Sequence, residues 1–529
     1  MDKTLEIAKV TATGTFKLFV GKVASSIVLA VGTIVLGWLI LPADYGLYTV
    51  ALIPSMMMGL FQDWGVSSAI TRYVAHFKKL NKDEDVYDII FAGVVFKIVA
   101  GLILSFISLL SASFIASNIF DRQETTNLIL FASITIFSKA LLTTSQSSFI
   151  GFERMELSSL AMVCQSVVQS VFSPLLIFLG YGALGAVVGY TFSFLAAGAM
   201  GIVTLYFLLF RKLRRAKKHK PQFFKTLKEL LRYGVPLSIS SILTGFLGQF
   251  YGFMMASFVG DVMIGNYQIA RNFSVILTFF IFPISTVLFP AFAKLDPRNE
   301  PQLLKTIFTS SIKYTSLLLV PATLAVIVLS EPLVSTLFGE KWIFSPFFLM
   351  LYVSSNLLAV FGSMSLTSFL AGVGETSILM KLSFLTLFVG VPMGLLLIPT
   401  MQIIGVIIGT ILAGLPSMFL GLYWIRKHYG TRADFQSSGK ILVASAVAAL
   451  VTYAILNFLS VDSWIRLVIG GSVFLAIYIC VAPLVGALTK SDIKNLRVMM
   501  SGLGGISKLA NIPLAIAEKM TEVQLIKRK

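Results

Sequence analysis

The sequence predicts an all-α integral membrane protein of about fourteen transmembrane helices. Three observations carry that prediction. The 529 residues are 57% hydrophobic and only 12% charged, about half the charged share of a soluble globular domain. The mean hydropathy is +0.89. The apolar residues also come in blocks of about 20 or more, long enough to cross a hydrocarbon core about 30 Å thick. A strand-built barrel would show segments of about 10 residues alternating polar and apolar, and the chain has none.

Taken in order, the blocks are 17–41, 46–72, 88–117, 126–149, 158–180 and 184–210, then 233–257, 264–290, 307–329, 345–370, 376–398 and 401–425, and last 439–459 and 465–488. Loop charge orients them, because cytoplasmic loops collect Lys and Arg. Arg72, Lys78, Lys79 and Lys82 follow the second block, Arg154 the fourth, and ten basic residues from Arg211 to Arg232 the sixth. Lys294, Arg298, Lys305 and Lys313 follow the eighth, Lys381 the tenth, and Arg426, Lys427, Arg432 and Lys440 the twelfth. The opposite loops hold only Arg122, Lys341 and Arg466. Both termini are therefore expected in the cytoplasm, in a cell (plasma) membrane. The net charge of +18 is mainly this topology signal and not a nucleic-acid footprint. No cleavable signal peptide is read at the N-terminus. Cys164 and Cys480 fall inside spans and predict neither a disulfide nor a metal site.

The chain repeats itself. Gly46, Tyr48 and Ala51 in "LPADYGLYTVA" match Gly265, Tyr267 and Ala270 in "VGDVMIGNYQIA" at an offset of 219. Ser148 and Phe149 match Ser368 and Phe369, and Gly185 and Gly189 match Gly405 and Gly409, at an offset of 220. Three separated stretches sharing one spacing argue for two related halves. Six spans is an even number, so the halves run parallel, related by a pseudo-two-fold axis along the membrane normal. The expected division is a six-helix bundle over 1–210, a basic cytoplasmic linker over 211–232, a second six-helix bundle over 233–425, two additional spans over 426–488 and an amphipathic cytoplasmic tail over 489–529. The linker's "RKLRRAKKHK" also suits anionic lipid at the inner leaflet.

This arrangement resembles the multidrug/oligosaccharidyl-lipid/polysaccharide exporter superfamily, and within it the polysaccharide and O-antigen flippases. The residues that carry the resemblance are "LPADYGLYTVA", "DWGVSSAITRYVA" (63–75), "GNYQIA" and "VLFPAFAKL" (287–295). It covers roughly residues 15–425, leaving the last two spans as an extension. The resemblance implies two helical bundles around a central cavity and alternating access. It also implies flipping of a lipid-linked oligosaccharide of the polyprenyl-diphosphate type from the cytoplasmic to the outer leaflet. Glycan polymerase or glycosyltransferases would be its protein partners, and the working unit a monomer.

Polar side chains inside spans mark where a substrate would pass, since they are costly in lipid. Lys139 is near the middle of span four, Lys97 about a third of the way along span three, and Lys22 in the cytoplasmic half of span one. Arg271 and Asn272 lie one to two turns inside span eight. Together with Gln249 of span seven they form the expected substrate-binding set, a cationic lining suited to a diphosphate. Lys22 and Lys97 could equally snorkel to the interface, and Arg271 could reach headgroups. Asp63 is read with Arg72 as a coupling acid or a helix-end pair. Gln165 and Gln169, at i and i+4, suit interhelical hydrogen bonding, and Asn356 suits either the same role or a cavity wall.

The alternative function is a cation-coupled multidrug or metabolite antiporter, a class that buries acids to bind Na⁺ or H⁺. Only Asp63 lies well within a span, and the sequence leaves the coupling ion open. No cofactor and no metal are expected. An enzyme is not expected either. A lipid-dependent glycosyltransferase would need paired carboxylates at the membrane surface, and "KDEDVYD" (82–88) is the only acidic run. No Gly-x-x-x-x-Gly-Lys phosphate loop is present.

Overall fold

The computed structural model describes residues 3–216, 222–274, 300–431 and 434–501, with a few isolated positions besides. It divides into two compact units, one of residues 1–268 with 391–406, the other of 269–390 with 407–529. The first unit thus takes in the first half of the chain together with the seventh span and the start of the eighth.

In the first unit, α1 (Lys3–Leu39), α2 (Pro42–Gly59), α3 (Val66–Lys79), α4 (Asp83–Phe114), α5 (Thr125–Gly151), α6 (Met155–Leu176), α7 (Gly182–Leu205), α8 (Arg211–Ala216) and α9 (Phe223–Phe258) follow one another, and α10 (Asp261–Ser274) begins there. Small residues decide how they pack, because they let backbones approach closely. Gly21 and Gly32 of α1 lie on Ser159 and Ser170 of α6, so these two helices run parallel. Gly198 and Gly201 of α7 lie on Leu141 and Ser145 of α5, again in parallel. α4 and α5 are antiparallel, with the Ser108 and Ser133 hydroxyls 2.8 Å apart and Gly101 facing Ala140. Gly185 and Gly189 of α7 pack on Leu176 and Ser173 of α6. The chain therefore reverses between α6 and α7, at Gly180 (φ +92°) and Gly182 (φ +48°). Gln165 donates to Gln169 Oε1 at 2.7 Å and to Ser193 Oγ of α7 at 3.1 Å, which is the interhelical role expected for that pair.

The second unit holds α11 (Pro301–Val328), α12 (Ser330–Phe338), α13 (Ser345–Ser354), α14 (Ser363–Val373), most of α15 (Thr376–Tyr429), α16 (Phe435–Phe458), α17 (Ser463–Val485) and α18 (Lys490–Ser501). α15 breaks at Gln402 (φ +51°). The hydroxyls of Thr386 and Ser417, on opposite sides of that break, are 2.6 Å apart, so its two arms lie side by side. α18 is held by Asp492, which accepts from Lys313 at 2.7 Å and from Tyr314 at 3.3 Å. Most of the tail after Ser501, the middle of the basic linker and most of span eight lie outside the described residues.

Among the described residues, eight helical segments are long and apolar enough to cross a membrane, or ten if each of two bent pairs is one span. Large apolar side chains such as Leu102, Ile103, Phe106 and Leu110 stand exposed along one side of α4, as a lipid-facing surface requires. Span ten, expected as one helix, bends by 56° between Ser345–Phe361 and Ser363–Val373. The bend is at Gly362, whose φ of +93° is open to glycine at little cost. Span two is likewise interrupted: α2 stops at Gly59 and α3 starts at Val66.

Candidate functional site

The interruption of span two builds the site. Trp64 (φ +46°) and Gly65 (φ +74°) turn the chain through the left-handed region. Only glycine fits at 65, because a Cβ there would stand 2.1 Å from the Gly234 carbonyl oxygen of α9. The turn aims two polar side chains inward. Gln62, 5% exposed, donates to the Ile136 carbonyl of α5 at 2.5 Å. Asp63 Oδ1 accepts from the Ser67 amide at 3.1 Å, the Ser67 hydroxyl at 2.7 Å and Lys97 Nζ at 2.6 Å.

Beside this turn lies a cavity of about 300 Å³. Leu52, Ser55, Met56 and Gly59 of α2 line it, with Leu60 and Gln62 of the turn, Thr135, Ile136 and Lys139 of α5, Tyr190 of α7 and Gln249 of α9. The Lys139 ammonium sits 4.9 Å from the Phe194 ring centre and 5.5 Å from that of Tyr190. Ring faces attract a cation, by up to about 2 kcal/mol when water is excluded, but leave its hydrogen-bond donors open. Tyr190 in turn packs edge-on to Tyr48 at 6.2 Å, so the repeated Gly-x-Tyr-x-x-Ala stretch buttresses the ring under the cation. The buried Ser55 hydroxyl on the same wall has no hydrogen-bond partner among the described residues. A second cavity of about 250 Å³ shares Gly59 and Leu60 with the first and is lined by Asp63, Trp64, Gly65 and Ser68 against Leu237, Ser238, Ser241 and Ile242 of α9.

The two copies of the repeat meet at one crossing. A Cβ on Gly46 would stand 2.0 Å from the Asp261 carbonyl oxygen, and one on Gly265 would stand 2.0 Å from that of Pro42. Each glycine thus receives the carbonyl four residues before the other, the reciprocal pattern of a two-fold contact. Arg122 fastens this crossing. Its Nε donates to Asp261 Oδ1 at 2.8 Å, its Nη2 to the Val259 carbonyl at 2.5 Å and its Nη1 to the Ala256 carbonyl. The last two are carbonyls at the C-terminus of α9, where a cation is favoured. Burial pushes the Asp261 carboxyl above its ordinary value, against the pull of the Arg122 guanidinium. Sequence reasoning missed this role of Arg122. Its partners lie well over a hundred residues away, and no local signal announces them.

The expected site residues are dispersed. Lys139 and Gln249 share the first cavity. Lys97 neither snorkels nor faces that cavity. It is 1% exposed, and its three donors go to Asp63, to Ser67 Oγ at 2.8 Å and to Thr143 Oγ1 at 2.8 Å. The expected pair of Asp63 with Arg72 is not formed. Asp63 is held by Lys97, and Arg72 lies 4.4 Å from the ring centre of Tyr233, because the turn at Trp64 and Gly65 points the acid at α4. Lys22 is exposed on α1. Arg271 is exposed and Asn272 half-buried on the last turn of α10, in the second unit. Asn356 is half-buried in the 3-10 turn Ser355–Phe361.

Residues 11–296 match the family described as polysaccharide biosynthesis protein. The chain is 21% identical over 281 residues to the probable low-salt glycan biosynthesis flippase of Haloferax volcanii, covering 52% of this chain and 58% of that relative. It is 23% identical over 442 residues to the lipid II flippase MurJ of Bacillus subtilis, covering 76% and 79% of the two chains. A solved structure of lipid II flippase MurJ in an inward closed conformation superposes with a TM-score of 0.71 at 15% identity, over 88% of this chain and 98% of that one. That likeness is one of fold.

Proposed function

This chain belongs to the polysaccharide biosynthesis protein family, and we propose that it flips a lipid-linked oligosaccharide of the polyprenyl-diphosphate type from the cytoplasmic to the outer leaflet by alternating access. The observation that carries this reading is Lys139. It is a cation in the wall of a membrane-embedded cavity, held by two aromatic rings, with no carboxylate in ion-pair contact among the described residues. Its donors are available to phosphate oxygens, with the Ser55 hydroxyl and Gln249 on the same wall. Only the polar head needs a lined path, since the lipid tail stays in the bilayer. Transport of this kind is binding and release without covalent chemistry, so the protein is a transporter and not an enzyme. The flippase names of its relatives agree with this reading.

The finer architecture belongs to the same proposal. Six crossings are α1, α2 with α3, α4, α5, α6 and α7. Six more are α9, the span that begins in α10, α11, α13 with α14, and the two arms of α15. The last two are α16 and α17, making fourteen, with both termini in the cytoplasm of a plasma-membrane protein and the halves divided by the 211–232 linker. The parallel and antiparallel packings of α1 to α7 have the parity that six alternating crossings require. The antiporter reading is weakened by Asp63, whose charge is already met by Lys97.

Purified protein reconstituted with a fluorescent polyprenyl-diphosphate oligosaccharide tests the reading. Wild type should speed passage between leaflets, scored by an impermeant quencher, and the Lys139→Ala protein should not. No acceleration by wild type, together with cation-driven uptake of a small drug, would replace the flippase with the antiporter.

A further inference from the structure

Asp63, Ser67, Lys97 and Thr143 form a cluster drawn from the span-two turn, α3, α4 and α5. Three oxygens converge on Lys97 Nζ: Asp63 Oδ1 at 2.6 Å, Ser67 Oγ at 2.8 Å and Thr143 Oγ1 at 2.8 Å. Both hydroxyls turn their protons away from that point. Ser67 donates to Asp63 Oδ1, and Thr143 donates to the Lys139 carbonyl at 2.9 Å. What faces the centre is one carboxylate oxygen and two hydroxyl lone pairs. This is an all-oxygen donor set with one negative charge, the kind that suits a hard cation. An ordinary ion pair would need only the carboxylate.

We propose that these three oxygens are a monovalent-cation site filled by the tethered ammonium of Lys97, where a soluble Na⁺ or K⁺ would otherwise bind. An ammonium has three donors, and here three acceptors meet them, so no N–H of the buried ammonium is left unpaired. A carboxylate left alone at this depth would be costly and would recruit whatever cation the medium supplied. Asp63 is the candidate coupling acid of the chain, and its side chain is still 41% exposed, toward the second cavity. A soluble ion could reach it there if the ammonium were gone. Lys97 is a positioning residue. Through Thr143 it also holds the turn of α5 that carries Lys139. The wild-type chain therefore takes no soluble coupling cation at Asp63. This does not depend on what the protein transports.

The test reads thermal unfolding of the full-length protein in detergent, with NaCl, KCl or choline chloride at one ionic strength. Wild type should unfold at the same temperature in all three. The Lys97→Ala protein should be destabilised in choline and regain about 5 °C or more, saturably, in Na⁺ or K⁺. Asp63→Asn added to Lys97→Ala should abolish that response. A folded Lys97→Ala protein indifferent to the cation overturns the proposal. So does a saturable Na⁺ or K⁺ response in wild type that Asp63→Asn removes. Lys97→Met, which keeps the buried volume, replaces Lys97→Ala if the latter does not fold, and a saturable wild-type response lost in Asp63→Asn overturns the proposal even without either variant.

Discussion

At the scale of the residue, two positions separate chemistry from packing. Lys139 meets two aromatic rings at 4.9 and 5.5 Å, so its alanine variant removes a charge from the cavity while leaving α5 intact. Lys139→Ala should cut export of the finished glycan at least tenfold with protein abundance near normal, read by surface-glycan staining against an immunoblot. Lys139→Arg should keep part of the activity, since a guanidinium also stacks on rings and binds phosphate. Full export by the alanine variant would remove Lys139 from the substrate path. Gly46 is the opposite case. Its missing Cβ is filled by the Asp261 backbone, which cannot rotate aside. Gly46→Val should therefore lower stability by about 1–3 kcal/mol, the usual cost of overpacking. Gly414→Ala, at a glycine with open space around it, should not. Unfolding midpoints in detergent compare the two.

At the scale of the element, the interrupted helices are the informative ones. The break between α2 and α3 costs backbone strain at Trp64, a non-glycine residue at φ +46°, and in return aims Gln62 and Asp63 inward. Broken spans build ion and substrate sites in many transporters for this reason. Helix ends outside the membrane follow simpler rules. Asp434 caps α16, accepting from the Ser437 amide at 3.1 Å and the Ser437 hydroxyl at 2.5 Å. Burial raises its carboxyl, but these bonds, the Gln436 amide and nearby Lys313 hold it below the ordinary value of 3.8. A depressed carboxylate stabilises above its ordinary value and loses that contribution as pH falls through the lower folded value. Asp434→Ala should thus cost about 1 kcal/mol near neutral pH, and the gap to wild type should close only below pH 3.8. A gap that stays constant through that range would mean that the cap acts without its charge.

At the scale of the whole molecule, the testable claim is topology. In a background carrying Cys164→Ser and Cys480→Ser, an impermeant thiol reagent applied to intact cells should label Tyr181→Cys and should not label Lys79→Cys. Both positions are exposed, one at the reversal between α6 and α7, the other at the end of α3. The opposite pattern would invert every span. The reciprocal contact of Gly46 and Gly265 belongs to this scale too. It joins the two stretches that share the Gly-x-Tyr-x-x-Ala motif, and both glycines lie in the first compact unit.

The sequence by itself determined the solvent of this protein, its all-helical class and its family resemblance. Hydrophobic length and loop charge are local quantities, and a bilayer turns them directly into helices. It also singled out Lys139, because a lysine at mid-span has nowhere to snorkel. Only the tertiary structure decided the partners. Lys97 and Asp63 are 34 residues apart, Arg122 and Asp261 are 139 apart, and no periodicity relates either pair. Lys97 read as a snorkelling or cavity cation until the turn at Trp64 and Gly65 brought an acid to it. Arg122 read as a stray loop charge until the end of α9 closed around it. Burial and chain reversal create such pairs, and both are properties of the packed helices rather than of any segment taken alone.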